Sequence, residues 1–198
     1  MAEQGRVRWR RFLLILLLVA TVTSLLVGAV AQGVVGATFV VSGQAFKLFT
    51  DELTGRDFTL SAGVVRDREG QTIPVIVTGV RRAFAKGLCQ SALVRTPVGT
   101  VTIRITGGQD GNEVTIDDMV IDTAAARGAA TLRGVELGRD ASTLNGVPAA
   151  RGPAGTFGGQ SRTFTLHDVR LSARAVSAAT LSLPDLGLKI LRGEHECF

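Results

Sequence analysis

The N-terminus places a cluster of arginines directly before a long uncharged segment, and this limits where the rest of the chain can fold. Four arginines occur within residues 1–11, and residues 12–31 carry no charged side chain. Twenty helical residues span about 30 Å, the thickness of a bilayer core. Because the arginines lie only on the N-terminal side, the positive-inside rule keeps residues 1–11 in the cytoplasm and sends the remainder across.

Two fates of residues 12–31 fit this pattern. As an uncleaved transmembrane anchor, the segment would make a single-pass protein of the cell membrane with an extracytoplasmic C-terminal domain. As a signal peptide, it would be cleaved near Ala31, since Ala29-Val30-Ala31 matches a signal-peptidase site, and the protein would be secreted. Both alternatives predict a short linker at residues 32–37 and an exported domain at residues 38–198.

The charge distribution excludes one class of partner. The chain has a formal net charge of +5, but four arginines and one glutamate within residues 1–11 account for +3 of it. The exported part is therefore nearly neutral and has no basic run interleaved with aromatic residues. We expect no nucleic-acid partner, because a phosphate backbone requires a concentrated basic surface.

The chain contains two cysteines, Cys89 and Cys197. Thiols outside the cytoplasm tend to pair, so we expect a disulfide that holds the C-terminus against the middle of the domain. A cysteine nucleophile is the weaker alternative, because neither residue lies in an activating motif.

Short alternating runs of Val, Ile, Thr and Phe predict a single all-β domain. The one place where a short helix is expected is Ala83–Leu93, and the Gly- and Pro-rich residues 140–162 predict a flexible surface loop. The expected strands are Thr38–Val41, Phe58–Val65, Ile73–Val80, Val101–Ile105, Val114–Ile121, Ala130–Leu137, Phe164–Leu171 and Thr180–Leu188.

Two of these runs form a weak internal repeat, Val114–Ile121 and Phe164–Leu171. In each, apolar residues alternate, change phase at a polar pair ending in Asp118 or Asp168, and then alternate again. A one-residue phase change within a strand predicts a β-bulge. The repeat favours two similar β-units in a sandwich, a curved sheet or a short solenoid. The side chains predicted to face the core are Ile116, Met119, Ile121, Leu166, Val169 and Leu171.

No catalytic or metal-binding constellation is present in the sequence. The serines lack the Gly-x-Ser-x-Gly elbow of a hydrolase, and the two histidines, His167 in an expected strand and His195 near the C-terminus, have no adjacent partner for a triad. The acidic residues 110–118 lack the ligand spacing of a calcium loop, and a β-turn with Gly111 at a positive φ is the simpler interpretation. We predict a non-catalytic protein without cofactor or metal.

Three short segments carry a family resemblance: Ser42-Gly43-Gln44-Ala45-Phe46-Lys47, Cys89-Gln90-Ser91 and Glu196-Cys197-Phe198. Together with the basic head and apolar segment, they resemble a family of exported actinobacterial proteins of unknown function, mainly from Streptomyces and its relatives. Some members carry an automatic label of cholesterol esterase, which the serines and histidines here do not support. The resemblance implies an extracytoplasmic location, paired cysteines and a small multi-pass membrane protein as partner.

Three functional hypotheses remain open. The first is a non-catalytic membrane-anchored or exported cell-envelope protein that binds a lipid, another apolar ligand or a membrane-protein partner. The second is a structural or assembly module of the cell surface without a ligand, and the third is a lipid esterase with an unrecognised site. A cavity larger than the voids left by normal core packing would favour the first hypothesis over the second. A polar cluster of His167 with a serine would favour the third.

Overall fold

A computed structural model describes the chain at residues 9–10, 12–17, 19–21, 44–67, 70–97 and 99–198. The three N-terminal ranges are helical, and none of the helical residues described forms a segment long and apolar enough to cross a membrane. The remainder of the expected anchor, the expected linker and the strand expected at Thr38–Val41 lie outside the described residues. The chain divides into two units, Met1–Thr38 and Phe39–Phe198, and the second contains every strand described below.

The second unit is an antiparallel β-structure, which confirms the all-β prediction. Its sheet runs in the order β6-β7-β5-β2-β1-β3-β4-β9, with β8 paired to β5. Two single-turn 3₁₀ helices, Ala141–Thr143 and Pro148–Ala150, lie between β6 and β7. The strands are β1 (Phe46–Arg66), β2 (Thr72–Lys86), β3 (Leu88–Thr96), β4 (Gly99–Gly107), β5 (Val114–Arg133), β6 (Glu136–Asp140), β7 (Phe157–Ser177), β8 (Thr180–Ser182) and β9 (Gly187–Arg192).

Four long strands close into a ring. β1 pairs with β2 on one edge and with β7 on the other, while β5 also pairs with both β2 and β7. Closing a curved sheet in this way removes most free edges and creates an interior. β3, β4 and β9 extend the sheet beyond the ring from the beginning of β1.

The ring interior holds the main hydrophobic core. Ile116, Met119, Ile121 and Val169 are buried, as the repeat predicted. Leu166 and Leu171 are partly buried and pack against the same cluster. The other buried members of this cluster are Leu53, Val80, Ala83, Ala85, Leu88, Val114, Phe164 and Ala173.

Two local expectations were wrong. Ala83–Leu93 is not a helix but the end of β2 and the start of β3, joined at Gly87 with φ +64°. Residues 140–162 are not a surface loop throughout, because β7 begins at Phe157 and the preceding segment is packed onto the ring. Four apolar side chains in that segment are buried: Ala141, Leu144, Val147 and Ala150.

Two other expected strands have different boundaries in the structure. Ala130–Leu137 covers the end of β5 and the start of β6, separated by Gly134 with φ +65°. Thr180–Leu188 covers β8, a turn and the start of β9. Both runs continue an apolar alternation across a turn, and the alternation alone contains no signal for the break.

Candidate functional site

Three aspartates inside long strands adopt the left-handed conformation. Asp57 in β1, Asp118 in β5 and Asp168 in β7 have φ angles of 56°, 47° and 50°. A left-handed residue reverses the alternation of faces along a strand, so apolar side chains on both sides of it point into the ring. The conformation costs an ordinary residue roughly 1–2 kcal/mol, and Asp is among the few residues that tolerate it.

These aspartates belong to three copies of one sequence pattern, of which the sequence analysis found two. Leu53–Leu60 has the same order as Val114–Ile121 and Phe164–Leu171: an apolar residue, Thr, two variable residues, Asp, and two apolar residues separated by one position. The first copy was missed because Gly55 stands where the others have Ile or Leu. The shared Thr and Asp were the signal that could have identified it.

The expected β-bulge is present at one of its two positions. At Asp168, two residues of β7 lie opposite the single residue Gly128 of β5, which is a bulge. A Cβ atom on Gly128 would lie 2.9 Å from the carbonyl oxygen of His167, so the close approach requires glycine. At Asp118 the register with β2 continues unchanged on both sides, and there the phase change occurs without an extra residue.

Arg81 of β2 connects two of the three aspartates to the segment at residues 141–152, which we call the covering segment. Its guanidinium lies 3.3 Å from the carboxylate of Asp57 and 3.8 Å from that of Asp118, and it also donates to the carbonyl of Gly146. Two buried hydroxyls of β1 add further bonds. Ser61 donates to the carbonyl of Ala150 at 2.9 Å, and Thr59 accepts from the backbone N–H of Val147 at 3.0 Å.

An apolar cavity of about 260 Å³ lies inside the ring. All four ring strands contribute to it, and its lining is apolar apart from Thr78, Thr123 and Arg127. The apolar side chains that line it are Leu53, Phe58, Ile76, Val80, Met119, Ile121, Ala126, Ala129, Ala130, Phe164, Leu166, Val169 and Leu171.

The cavity reaches the surface where β5 separates from β2. Their pairing ends at Ile76 and Thr123, and beyond that point β5 pairs with β7 alone. The next residues, 124–130, contain five alanines and one glycine and are all exposed. Because methyl groups and a glycine occupy positions where larger side chains would fill the interior, the space next to Phe58 and Leu171 remains open.

A second, larger cavity of about 420 Å³ near the covering segment is lined mainly by polar side chains. Arg139 lies 2.6 Å from Glu136, and Gln160 donates to Glu136 and to Asn145 at 2.9 Å each. The hydrogen bond from Arg139 lowers the pKa of Glu136. Glu136, Arg139, Gln160 and Asn145 are therefore hydrogen-bonded to one another, whereas the buried hydroxyl of Ser161, which also lines this cavity, has no hydrogen-bond partner.

His167 lies in an exposed charged network. Its Nδ1 atom is 3.8 Å from Glu52, which in turn lies 2.9 Å from Lys86, and Lys86 lies 3.5 Å from Glu113. The hydrogen bond between Lys86 and Glu52 lowers the pKa of Glu52 and raises that of Lys86. About half of the His167 side chain is exposed. Among the described residues, no hydrogen bond or ion pair joins the His167 imidazole to a hydroxyl that it could activate.

The C-terminal tail is fastened to β3 and β4. A disulfide joins Cys89 to Cys197, as expected, with their Cα atoms 5.9 Å apart. The N–H of Cys197 donates to the buried Ser91 hydroxyl at 3.0 Å, and the N–H of His195 donates to the buried Thr102 hydroxyl at 2.9 Å. His195 is thus held through its backbone.

Lys47 completes this arrangement. Its ammonium group lies 2.8 Å from Glu196, donates to the carbonyl oxygen of Phe198 at 2.8 Å and lies 5.1 Å from the centre of that ring. Lys47 is also directly opposite Ser91 in the sheet. Described residues from each of the three segments that carry the family resemblance therefore meet at one place in the fold.

In the described part of the chain, no three His, Cys, Asp or Glu side chains are grouped so that they could hold a metal ion. The acidic stretch after β4 forms a turn, with Asp110 and Gly111 at φ 55° and 86°. Asn112 closes it by donating from its backbone to Gln109 at 3.0 Å. The turn interpretation of these residues is confirmed.

Comparison with known proteins identifies one family. Residues 42–198 match a family of unknown function, DUF6230. No curated protein and no solved structure shows significant similarity to the chain. The match covers the ring, the extension formed by β3, β4 and β9, and the disulfide-bonded tail. The chain therefore belongs to the DUF6230 family.

Proposed function

We propose that this protein is a non-catalytic component of the cell envelope that binds a lipid or another apolar ligand in the cavity of the β-ring. The observation that carries the proposal is the cavity itself, apolar on all four strands and open along the alanine-rich part of β5. Well-packed interiors leave few voids larger than a water molecule. A space of about 260 Å³ therefore exceeds what core packing leaves.

The size of the cavity limits the ligand class. An engineered apolar cavity of about 150 Å³ binds benzene, and sites for drug-sized ligands begin at about 300 Å³. The cavity lies between these values, which suits part of an acyl chain or a compact ring system rather than a whole phospholipid. Each methylene buried in the cavity contributes about 0.8 kcal/mol, so about ten methylenes contribute roughly 8 kcal/mol. This equals the binding free energy of a micromolar complex, before the entropy lost on association is subtracted.

The remaining parts of the proposal concern location and chemistry. The Cys89–Cys197 disulfide supports a compartment outside the cytoplasm, with residues 12–31 as the anchor or as the signal that exports the chain. The exposed position of His167 beside Glu52 supports a non-catalytic role. The actinobacterial origin remains an expectation from the resemblance, as does a small multi-pass membrane protein as partner.

Photo-crosslinking tests the ligand proposal. The full chain is reconstituted into vesicles that contain a phospholipid with a diazirine in one acyl chain, and crosslinked peptides are mapped after irradiation. We expect crosslinks on the peptide that contains Ala126 and Ala130. Because Ala126 is exposed and lines the cavity, Ala126→Phe should fill the space without displacing a buried group and should remove most of these crosslinks.

Ala125→Phe is the matched control. Ala125 is also exposed, is the neighbouring residue of the same strand, and does not line the cavity. Crosslinking in this variant should equal that of the wild type. If cavity residues in the wild type are not crosslinked, or if both variants lose the signal equally, the ligand proposal is wrong and a ligand-free surface module explains the fold better.

A further inference from the structure

The cavity of about 420 Å³ near the covering segment has a chemistry of its own, and we call it the polar cavity. Its volume lies within the range of about 300–1,000 Å³ that is typical of small-molecule sites. The lining comes from β1, β6, β7, the covering segment and the turn between β5 and β6. The polar cavity shares no lining residue with the apolar cavity of the ring, so the two are separate sites.

A β-bulge in β6 brings two charged side chains to the polar cavity. Glu136 and Arg139 both line it, although residues three positions apart point to opposite faces of a regular strand. The register against β7 shifts between Leu137 and Arg139, so Gly138 is the extra residue. Gly138 has a φ of 80°, a conformation that glycine adopts without strain. Bulges that redirect a side chain in this way are common next to functional sites.

Hydrogen bonds fix these side chains but leave part of their bonding capacity unused. Arg139 and Gln160 both donate to the same oxygen of Glu136, Oε2, at 2.6 and 2.9 Å. Gln160 also donates to the side-chain oxygen of Asn145. Within the described part of the chain, no hydrogen bond reaches Oε1 of Glu136 or uses the side-chain nitrogen of Asn145. The cavity thus has one held acceptor and one held donor that remain available.

Two neighbouring residues of β7 add further unused groups. The hydroxyl of Ser161 is buried without a hydrogen-bond partner among the described residues, which is unfavourable for a polar group. The guanidinium of Arg162 makes no hydrogen bond to those residues either. The hydrogen bond from Arg139 lowers the pKa of Glu136, and the charge of Arg162 adds to this effect. A Cβ atom on Gly134 would lie 2.5 Å from Nε of Arg162, so glycine there leaves room for the arginine.

The charges of the polar cavity balance one another. Its lining has two carboxylates, Asp57 and Glu136, and two guanidiniums, Arg139 and Arg162. Asp57 already lies 3.3 Å from Arg81, and Glu136 lies 2.6 Å from Arg139. An anionic ligand would meet the carboxylates, and a cationic ligand would meet the guanidiniums. A hydroxyl group both donates and accepts, so a neutral ligand with several hydroxyls matches the unused groups without separating an existing ion pair.

We propose that the polar cavity binds a neutral saccharide. Adjacent ring hydroxyls donate to Oε1 of Glu136 and accept from Asn145 and Arg162, and a further hydroxyl bonds to Ser161. Val135 also lines the cavity and is 43% exposed, which gives the C–H groups of the sugar ring an apolar surface. The inference goes beyond lipid binding in the ring and does not depend on it.

Saturation-transfer NMR of the full chain tests the proposal. The protein is kept in an amine-oxide detergent, because many mild detergents carry a sugar headgroup that would compete. The probes are the methyl glycosides of glucose, galactose and mannose, and inorganic phosphate and L-alanine are added as charged competitors. We expect at least one glycoside to bind with a Kd of about 1 mM, and neither charged compound to displace it.

Substitutions place the sugar in the polar cavity. Ser161→Ala should raise the Kd about fivefold, the effect of losing one hydrogen bond, and Arg162→Ala should raise it about tenfold. Ser161→Ala loses no hydrogen bond in the free protein, so its urea-unfolding midpoint should not fall. Ser177→Ala is the matched control, because Ser177 is exposed in the same strand and lines neither cavity. Both this control and Ala126→Phe should bind the glycoside as the wild type does.

Three results overturn the proposal. The first is a wild-type protein that binds none of the glycosides. The second is displacement of the glycoside by phosphate or L-alanine, which means that the site selects a charged ligand. The third is wild-type binding in both Ser161→Ala and Arg162→Ala, which places the sugar elsewhere on the protein. Because Ala126→Phe alters only the apolar cavity, a failure of the lipid proposal leaves this test unaffected.

Discussion

Removing the disulfide is the perturbation whose cost is best defined by the structure. The bond joins residues 108 positions apart, and closing a loop of that length restricts the unfolded chain by about 4.7 kcal/mol. Strain in the native state subtracts from this figure, so Cys197→Ser should lower the free energy of unfolding by about 2–5 kcal/mol. The partly exposed Lys47–Glu196 ion pair cannot replace the bond, because such pairs contribute about 0–1 kcal/mol.

The assay is urea unfolding of the full chain in mild detergent, followed by circular dichroism of the strands. Hydrogen exchange at the backbone N–H groups of His195 and Cys197 then reports the tail directly, because Thr102 and Ser91 accept their hydrogen bonds. Both amides should exchange faster in Cys197→Ser. Ser91→Ala with the disulfide intact is the control and should cost only about 1 kcal/mol, the value of one hydrogen bond.

Two results would refute this reasoning. One is a Cys197→Ser variant whose unfolding free energy matches that of the wild type within about 0.5 kcal/mol, the ordinary spread of neutral surface changes. The other is labelling of two thiols in the unreduced, denatured wild-type protein.

Three further predictions concern single side chains. Asp118→Ala should lower stability by roughly 1–2 kcal/mol in urea unfolding, because alanine does not tolerate a φ of 47°, whereas Asp118→Gly should cost less; equal losses would contradict this. Burial raises the pKa of Asp122, so its folded form holds a proton more tightly and stability falls as the pH rises through that pKa. Asp122→Asn should therefore raise the melting temperature at neutral pH and have no effect on it below pH 3.8. The control Asp110→Asn, in an exposed turn, should leave the melting temperature unchanged at both pH values. A rise for Asp122→Asn that persists in acid would contradict the burial argument. Gly79→Val should displace the covering segment and make it sensitive to protease, because even a Cβ atom at Gly79 would lie 2.5 Å from the Cβ atom of Ala150. An unchanged digestion pattern would show that the covering segment is not held against Gly79.

The features that follow from local pattern were predictable from the sequence. Ile116 and Met119 lie on opposite sides of the phase change at Asp118, and both were expected in the interior where they are found. The disulfide followed from the presence of two cysteines in a chain that the N-terminal pattern predicts to be exported. Both inferences use only short-range alternation or residue identity, which the sequence displays directly.

The features that depend on distant pairing were not predictable. The ring closes because Phe46–Ser61 of β1 pairs with Gly158–Ala173 of β7, more than 90 residues away, and no local signal specifies that partner. Leu144 and Val147 are buried because small residues lie opposite them, including Gly79 and Gly158. In the sequence they lie in a Gly- and Pro-rich stretch that is typical of a loop. The cavity likewise depends on where the alanines of β5 lie relative to Phe58 and Leu171.

The most direct test of the central claim is native mass spectrometry of the protein, produced in its own host and purified in mild detergent, followed by extraction and identification of bound lipid. We predict one apolar or lipid molecule per chain in the wild type and in Ala125→Phe, and its loss in Ala126→Phe. A wild-type protein that carries no such molecule, or an Ala126→Phe variant that retains it, would contradict the assignment of the β-ring as a binding site.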